Sequence, residues 1–128
     1  MPMQQTRSDI GRRKTGSLIG SDRVEGTDVY NSNGDRVGTI ERVMIDKISG
    51  KVAYAVMSFG GFLGLGSNYY PLPWSLLTYD VRLGGYEVSV TEDQLRKAPK
   101  FRRDEPWAYG SRDREKELYT YYNVAPYW

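Results

Sequence analysis

Asp28-Val29-Tyr30-Asn31, then Arg36-Val37-Gly38-Thr39-Ile40-Glu41-Arg42-Val43-Met44-Ile45-Asp46, then Lys51-Val52-Ala53-Tyr54-Ala55-Val56-Met57-Ser58-Phe59 follow one another with only Asn33-Gly34 and Ser49-Gly50 turns between them. Along the second segment Val37, Thr39 and Glu41 alternate with Gly38 and Ile40, and Val43 and Ile45 then flank Met44. That is the two-residue period of a strand with one face in a core. The third segment is almost wholly apolar and holds neither Pro nor Gly before Gly60, so it reads as the central strand, covered on both faces. Three short strands joined by tight turns predict a mainly β chain that curls into a small barrel.

Working outward, Ser17-Leu18-Ile19 reads as a short opening strand, followed by a polar turn through Glu25-Gly26. Downstream, Gly60-Gly61-Phe62-Leu63-Gly64-Leu65-Gly66 is an apolar, glycine-dense loop. Asn68 to Pro73 resumes an extended run whose two prolines confine it to an edge or a strand end. Trp74 to Leu77 reads as a turn plugging one barrel mouth, and Thr78–Leu83 with Tyr86–Val90 as a hairpin about Gly84-Gly85. The count is five to six strands. At Thr91 the period changes: Thr91 and Gln94 are spaced as a capping box, with Val90 and Leu95 placed as a hydrophobic staple, and Pro99 closes this short helix. A helical stretch from about Arg112 to Tyr122 and an aromatic end follow. The expected organisation is a basic, disordered leader over 1–16, a barrel over 17–99, and a helical, aromatic extension over 100–128.

Composition narrows the function classes. The 128 residues contain no histidine and no cysteine, which removes disulfides, thiolate nucleophiles, most zinc sites and any histidine general base. Asp22, Glu25, Asp28, Asp35, Glu41 and Asp46 are scattered over turns and strand ends without the pairing that acid–base chemistry needs, and no alternating acidic calcium loop is present. The glycine-rich loop lacks the Lys-Ser or Lys-Thr and the following helix of a phosphate cradle. No catalytic residue, cofactor or metal is expected. Charge is nearly balanced, 18 basic against 16 acidic residues, so there is no broad field to steer nucleic acid. Arg12, Arg13 and Lys14 leave contact of the leader with RNA or an acidic membrane surface open. No run reaches the ~18 apolar residues of a membrane span and no secretory signal is evident, so the expectation is a soluble, cytoplasmic chain.

The run Val29-Tyr30-Asn31, Gly34, Gly38-Thr39-Ile40, Val43-Met44-Ile45-Asp46 and Ser49 to Val56, extended by the glycine-rich loop and Pro71-Leu72-Pro73-Trp74, resembles the PRC-barrel domain family. The likeness is to stand-alone bacterial members with an aromatic tail. It implies kinship with the cytoplasmic domain of the photosynthetic reaction centre H subunit and with the C-terminal domain of the ribosome maturation factor. It therefore implies a non-catalytic interaction or adaptor module. Its alternatives are an RNA- or ribosome-assembly-linked binding protein and an accessory subunit of a membrane photosynthetic or electron-transfer complex.

The residues expected to meet a partner are Phe62, Leu63 and Leu65 in the loop and Trp107, Tyr119, Tyr122, Tyr127 and Trp128 in the extension. Leu118, Tyr119 and Tyr122 share one helical face, so the tail either packs on its own barrel or docks on a second subunit. The expected partner is a protein or a second copy, a homodimer being the simplest case. Asp104, Glu105, Asp113, Glu115 and Glu117 among the arginines weigh against nucleic acid.

Overall fold

The computed structural model describes residues 18–58, 68–103 and 111–128. Among the described residues a first helix, α1 (Ser21–Val24), precedes strands β1 (Asp28–Tyr30), β2 (Arg36–Ile45), β3 (Val52–Ser58) and β4 (Asn68–Pro73). A 3-10 turn, Trp74–Leu76, leads into β5 (Leu77–Asp80) and β6 (Gly85–Val88), and α2 (Glu92–Lys97), β7 (Phe101–Arg102) and α3 (Arg112–Tyr122) follow. The strands form one sheet in the order β5-β6-β1-β2-β3-β4-β7, antiparallel throughout except for the β1–β6 pair. The small mainly β barrel is as expected, with the two-residue β7 adding a seventh strand. Among the described residues no pairing of β5 with β7 closes the order.

β2 curls because its ladder with β3 slips twice. The register jumps from Ile40↔Met57 to Arg42↔Val56, and from Met44↔Tyr54 to Ile45↔Val52, so Glu41 and Ala53 are each the extra residue of a bulge. Bulges bend and twist a strand, which lets one long strand serve two parts of a small barrel. Gly38 lies close against β3: a Cβ there would lie 2.5 Å from the Ser58 carbonyl oxygen.

β3 is the central strand, its residues Ala53 to Ser58 all buried. Pro71 and Pro73 of β4 pair with Val56 and Tyr54, and β7 pairs only with Asn68 and Tyr69. The prolines have the same parity, so both ring nitrogens face the flank that β7 leaves unpaired, and no ladder bond is lost. The capping box forms as the sequence indicates: Gln94 N donates to Thr91 Oγ1 at 3.0 Å and Thr91 N to Gln94 Oε1 at 2.7 Å, with Val90 and Leu95 buried beneath.

One expectation is corrected. Leu18 and Ile19 of the anticipated opening strand belong to no strand and are exposed, and α1 follows at once. Gly20 caps that turn, and Val24 is its one buried anchor. Leu18 and Ile19, without a partner strand, gain less from extension than a turn that buries Val24.

The core is continuous. Val29, Ile40, Val56, Met57, Tyr70, Leu72 and Val88 from the sheet share it with Leu95 of α2 and with Leu118, Tyr119 and Tyr122 of α3.

Candidate interaction surfaces

Two ends of the sheet carry side chains that could meet a partner, and the direction of β3 separates them. The loop 46–51 enters this strand at Val52 and the strand ends at Ser58, so these two ends are separated by seven residues, roughly 20 Å.

At the entering end, α3 has its N-cap at Ser111, whose hydroxyl accepts from Arg114 N. It ends at Asn123, the one non-glycine residue with positive φ among the described residues. That left-handed residue turns the chain back along the helix. Tyr127 thereby reaches Glu115, donating its hydroxyl to Oε1 at 2.6 Å, while Arg112 lies 3.5 Å from the same oxygen. The Arg112 guanidinium sits 4.4 Å from the centroid of Trp128 and 5.5 Å from that of Tyr127. Lys51 donates to the Tyr127 carbonyl at 3.3 Å, fastening the tail to the loop before β3. Burial, and then the Glu115 carboxylate, push the Tyr127 hydroxyl well above its ordinary value, so it stays a donor at any physiological pH.

At the leaving end, Tyr69 is the second residue of β4 and pairs with Ser58, the last residue of β3. Arg42 and Arg103 place their guanidinium carbons 5.7 and 5.3 Å from its ring centroid, and Phe101 meets it edge-on at 5.5 Å. Ser58, the last described residue before the segment 59–67, donates its hydroxyl to Glu41 Oε2 at 2.5 Å, and so the bulged residue of β2 holds the end of β3.

The expected partner-binding residues divide accordingly. Phe62, Leu63, Leu65 and Trp107 lie outside the described residues. Tyr119 and Tyr122 are buried in the chain's own core, Tyr127 is half-buried, and Trp128 is 43% exposed. The Tyr69 frame with Arg42 and Arg103 was not singled out from sequence, because Arg42 and Arg103 are 61 positions apart and only the β2–β3–β4–β7 order brings them together. An open groove of about 610 Å³ runs between the end of α2 and α3, where Lys97, Lys100 and Arg114 alternate with Asp113 and Glu117. Among the described residues no three acidic side chains gather as metal ligands would, and no helix is long and apolar enough to cross a membrane.

A family profile for the PRC-barrel domain matches residues 17–95, well over half of the sequence. The chain belongs to the PRC-barrel domain family. An uncharacterised protein of Deinococcus radiodurans is 23% identical over 93 residues, covering 73% of this chain and 33% of that protein. This PRC-barrel chain thus spans about a third of that relative's length. Among solved structures, a protein described as the 16S ribosomal RNA processing protein RimM of Pseudomonas aeruginosa aligns with a TM-score of 0.41 at 20% identity, over 63% of this chain and 49% of that one.

Proposed function

We propose that this PRC-barrel chain is a non-catalytic protein-interaction module, which self-associates or holds a second protein through the end of the sheet where the segment 59–67 springs from Ser58 and returns at Asn68. The observation that carries the reading is the frame around Tyr69: a tyrosine at the loop root, with two arginines over its ring and a phenylalanine at its edge. Tyrosine and arginine are the residue types that dominate binding energy at protein interfaces. In the sequence between Ser58 and Asn68 stand Phe62, Leu63 and Leu65, three large apolar residues among glycines. The sheet fixes the frame, and the loop supplies the apolar area.

Light scattering on the eluting full chain tests this. The expected result is a mass above the monomer that falls to the monomer in Leu63→Asp and in Arg103→Glu. A wild-type monomer that also retains no partner from its own cell extract, or an assembly indifferent to both substitutions, overturns it. Point variants are preferable to removing the tail, because Tyr119 and Tyr122 belong to the core.

A further inference from the structure

The loop between β2 and β3 is held in one conformation by its own hydrogen bonds. Asp46 N donates to the Lys51 carbonyl at 2.8 Å, and Gly50 N to the Asp46 carbonyl at 2.8 Å. The Asp46 carboxylate accepts from Ser49 Oγ at 2.7 Å and Ile48 N at 3.4 Å, and Ser49 Oγ accepts from Lys51 N at 3.2 Å. Gly50 takes the positive φ, 78°, that the reversal requires. None of this uses the side chain at position 48, and any polar residue would satisfy the turn. Yet the residue is isoleucine, and it is 96% exposed, the most exposed large apolar side chain among the described residues.

Its surroundings share one chemistry. Ile45, at the end of β2, is 51% exposed. Lys47 and Lys51 flank the tip in solvent, and the Lys51 bond to the Tyr127 carbonyl brings exposed Trp128, with Arg112 against it, to the same end. Both carboxylates here are engaged internally. Asp46 is held by Ser49 and the Ile48 amide, and Glu115, its side chain only 12% exposed, is held by Tyr127 and Arg112. Asp113 lines the groove beside α2. What this end offers outward is two isoleucines and an indole, with the two exposed lysines Lys47 and Lys51 beside them.

We propose that the loop 46–51, with Trp128 beside it, is a docking tip for an anionic lipid bilayer. Ile48 enters the acyl boundary, Trp128 lies at headgroup depth, and Lys47 and Lys51 meet the lipid anions. Aliphatic, indole and ammonium groups in this arrangement are what the membrane interface selects. A protein pocket would favour a contiguous apolar patch, whereas Ile48 at the loop tip is 96% exposed. Because the loop is already ordered, insertion fixes little further entropy. One such tip gives reversible attachment.

The test is co-sedimentation of the full chain with vesicles of phosphatidylcholine alone and of phosphatidylcholine with phosphatidylserine. The expected result is binding to the anionic vesicles only, weakened by salt, and reduced about tenfold by Ile48→Asp. Ile48 touches no core residue, so far-UV circular dichroism should show the variant folded. The same loss must appear in a chain whose Arg12, Arg13 and Lys14 are changed to glutamine. No sedimentation with anionic vesicles overturns the proposal, as does an Ile48→Asp protein that binds like wild type. Binding that vanishes with the three leader changes alone also overturns it. Loss of a protein complex in Ile48→Asp, with vesicles unbound by the wild type, overturns it in favour of a protein pocket. Oligomer mass and its dependence on Leu63 are read separately, so either reading can fail alone.

Discussion

Tyr119 of α3 donates its hydroxyl to the carbonyl of Ala53, the residue that the second bulge leaves without a partner across β2. The bulge that bends β3 frees a buried acceptor, and a helix sixty-six positions later in the chain satisfies it. Tyr122, one turn on, is as buried, but its hydroxyl has no hydrogen-bond partner among the described residues. Removing the two hydroxyls should therefore act in opposite directions. Tyr119→Phe leaves the Ala53 carbonyl unpaired and is expected to lower stability by about 1–3 kcal/mol, whereas Tyr122→Phe removes an unsatisfied group and should be neutral or stabilising by about 1 kcal/mol. Urea unfolding midpoints measure both.

The same helix sets an alkaline limit. Burial, with the Glu115 charge second, raises the Tyr119 hydroxyl from 10.0 to about 12, and burial raises Tyr122 as well. A group whose folded value lies above its unfolded one binds its proton more tightly when folded. The stability it contributes is complete below pH 10 and is lost as pH rises through the folded value near 12. Tyrosinate absorbance at 295 nm should thus rise in two stages, exposed rings first, and the second stage should coincide with loss of near-ultraviolet dichroism. A single stage completed while the dichroism is intact would contradict the burial.

Gly38 makes the curl of β2 sterically possible. A methyl group there would stand 2.5 Å from the Ser58 carbonyl oxygen and 2.9 Å from Met57 Cγ, and the carbonyl belongs to the central strand. Gly38→Ala should cost about 1–3 kcal/mol through overpacking. Thermal unfolding gives the answer, with Gly34→Ala, where no atom lies within 4 Å and only the φ of 86° is strained, as the comparison. Gly34→Ala is expected to cost about 1–2 kcal/mol for the left-handed backbone.

The cap of α2 is a local feature with a local consequence. Thr91→Ala removes the acceptor for Gln94 N and should lower stability by about 1 kcal/mol. Because Tyr121 donates its hydroxyl to the Gln94 carbonyl at 2.5 Å, the loosened turn should also free Tyr121. Faster amide exchange at Glu92 to Leu95 would register the change, and unaltered exchange there would count against it.

That cap was legible in the sequence because all of its parts lie within six residues, Val90 to Leu95. The strands from Tyr30 to Ser58 were legible for a similar reason, since alternation and Asn-Gly or Ser-Gly turns are short-range signals. The bulges at Glu41 and Ala53 were not, because an extra residue shows only against the partner strand. Nor was the fate of Tyr119 and Tyr122: one apolar helical face looks the same whether it covers its own sheet or another molecule, and the free Ala53 carbonyl that holds it is a product of tertiary register. Ile48 carries no sequence signal of its own, since it only precedes the Ser49-Gly50 turn. Only its exposure, and the nearness of Lys51 to Tyr127, give it meaning.

Glu115 offers the sharpest probe of the C-terminal clamp. Its side chain is largely buried, and one oxygen serves both the Tyr127 hydroxyl at 2.6 Å and Arg112 at 3.5 Å. Glu115→Gln keeps the shape but removes the charge that holds the guanidinium, and an amide can still accept from Tyr127. Tyr127→Phe removes the hydroxyl and leaves the ion pair. If the charge organises the end, Glu115→Gln should lower stability by about 1.5–3 kcal/mol, the range for a hydrogen bond to a charged group, and Tyr127→Phe by about half as much. Trp128 reports the geometry directly, since Arg112 lies against its ring. With Trp74 and Trp107 changed to phenylalanine, its emission should shift to the red in Glu115→Gln and move less in Tyr127→Phe. Equal shifts in the two variants would mean that the hydroxyl, and not the charge, fixes the indole.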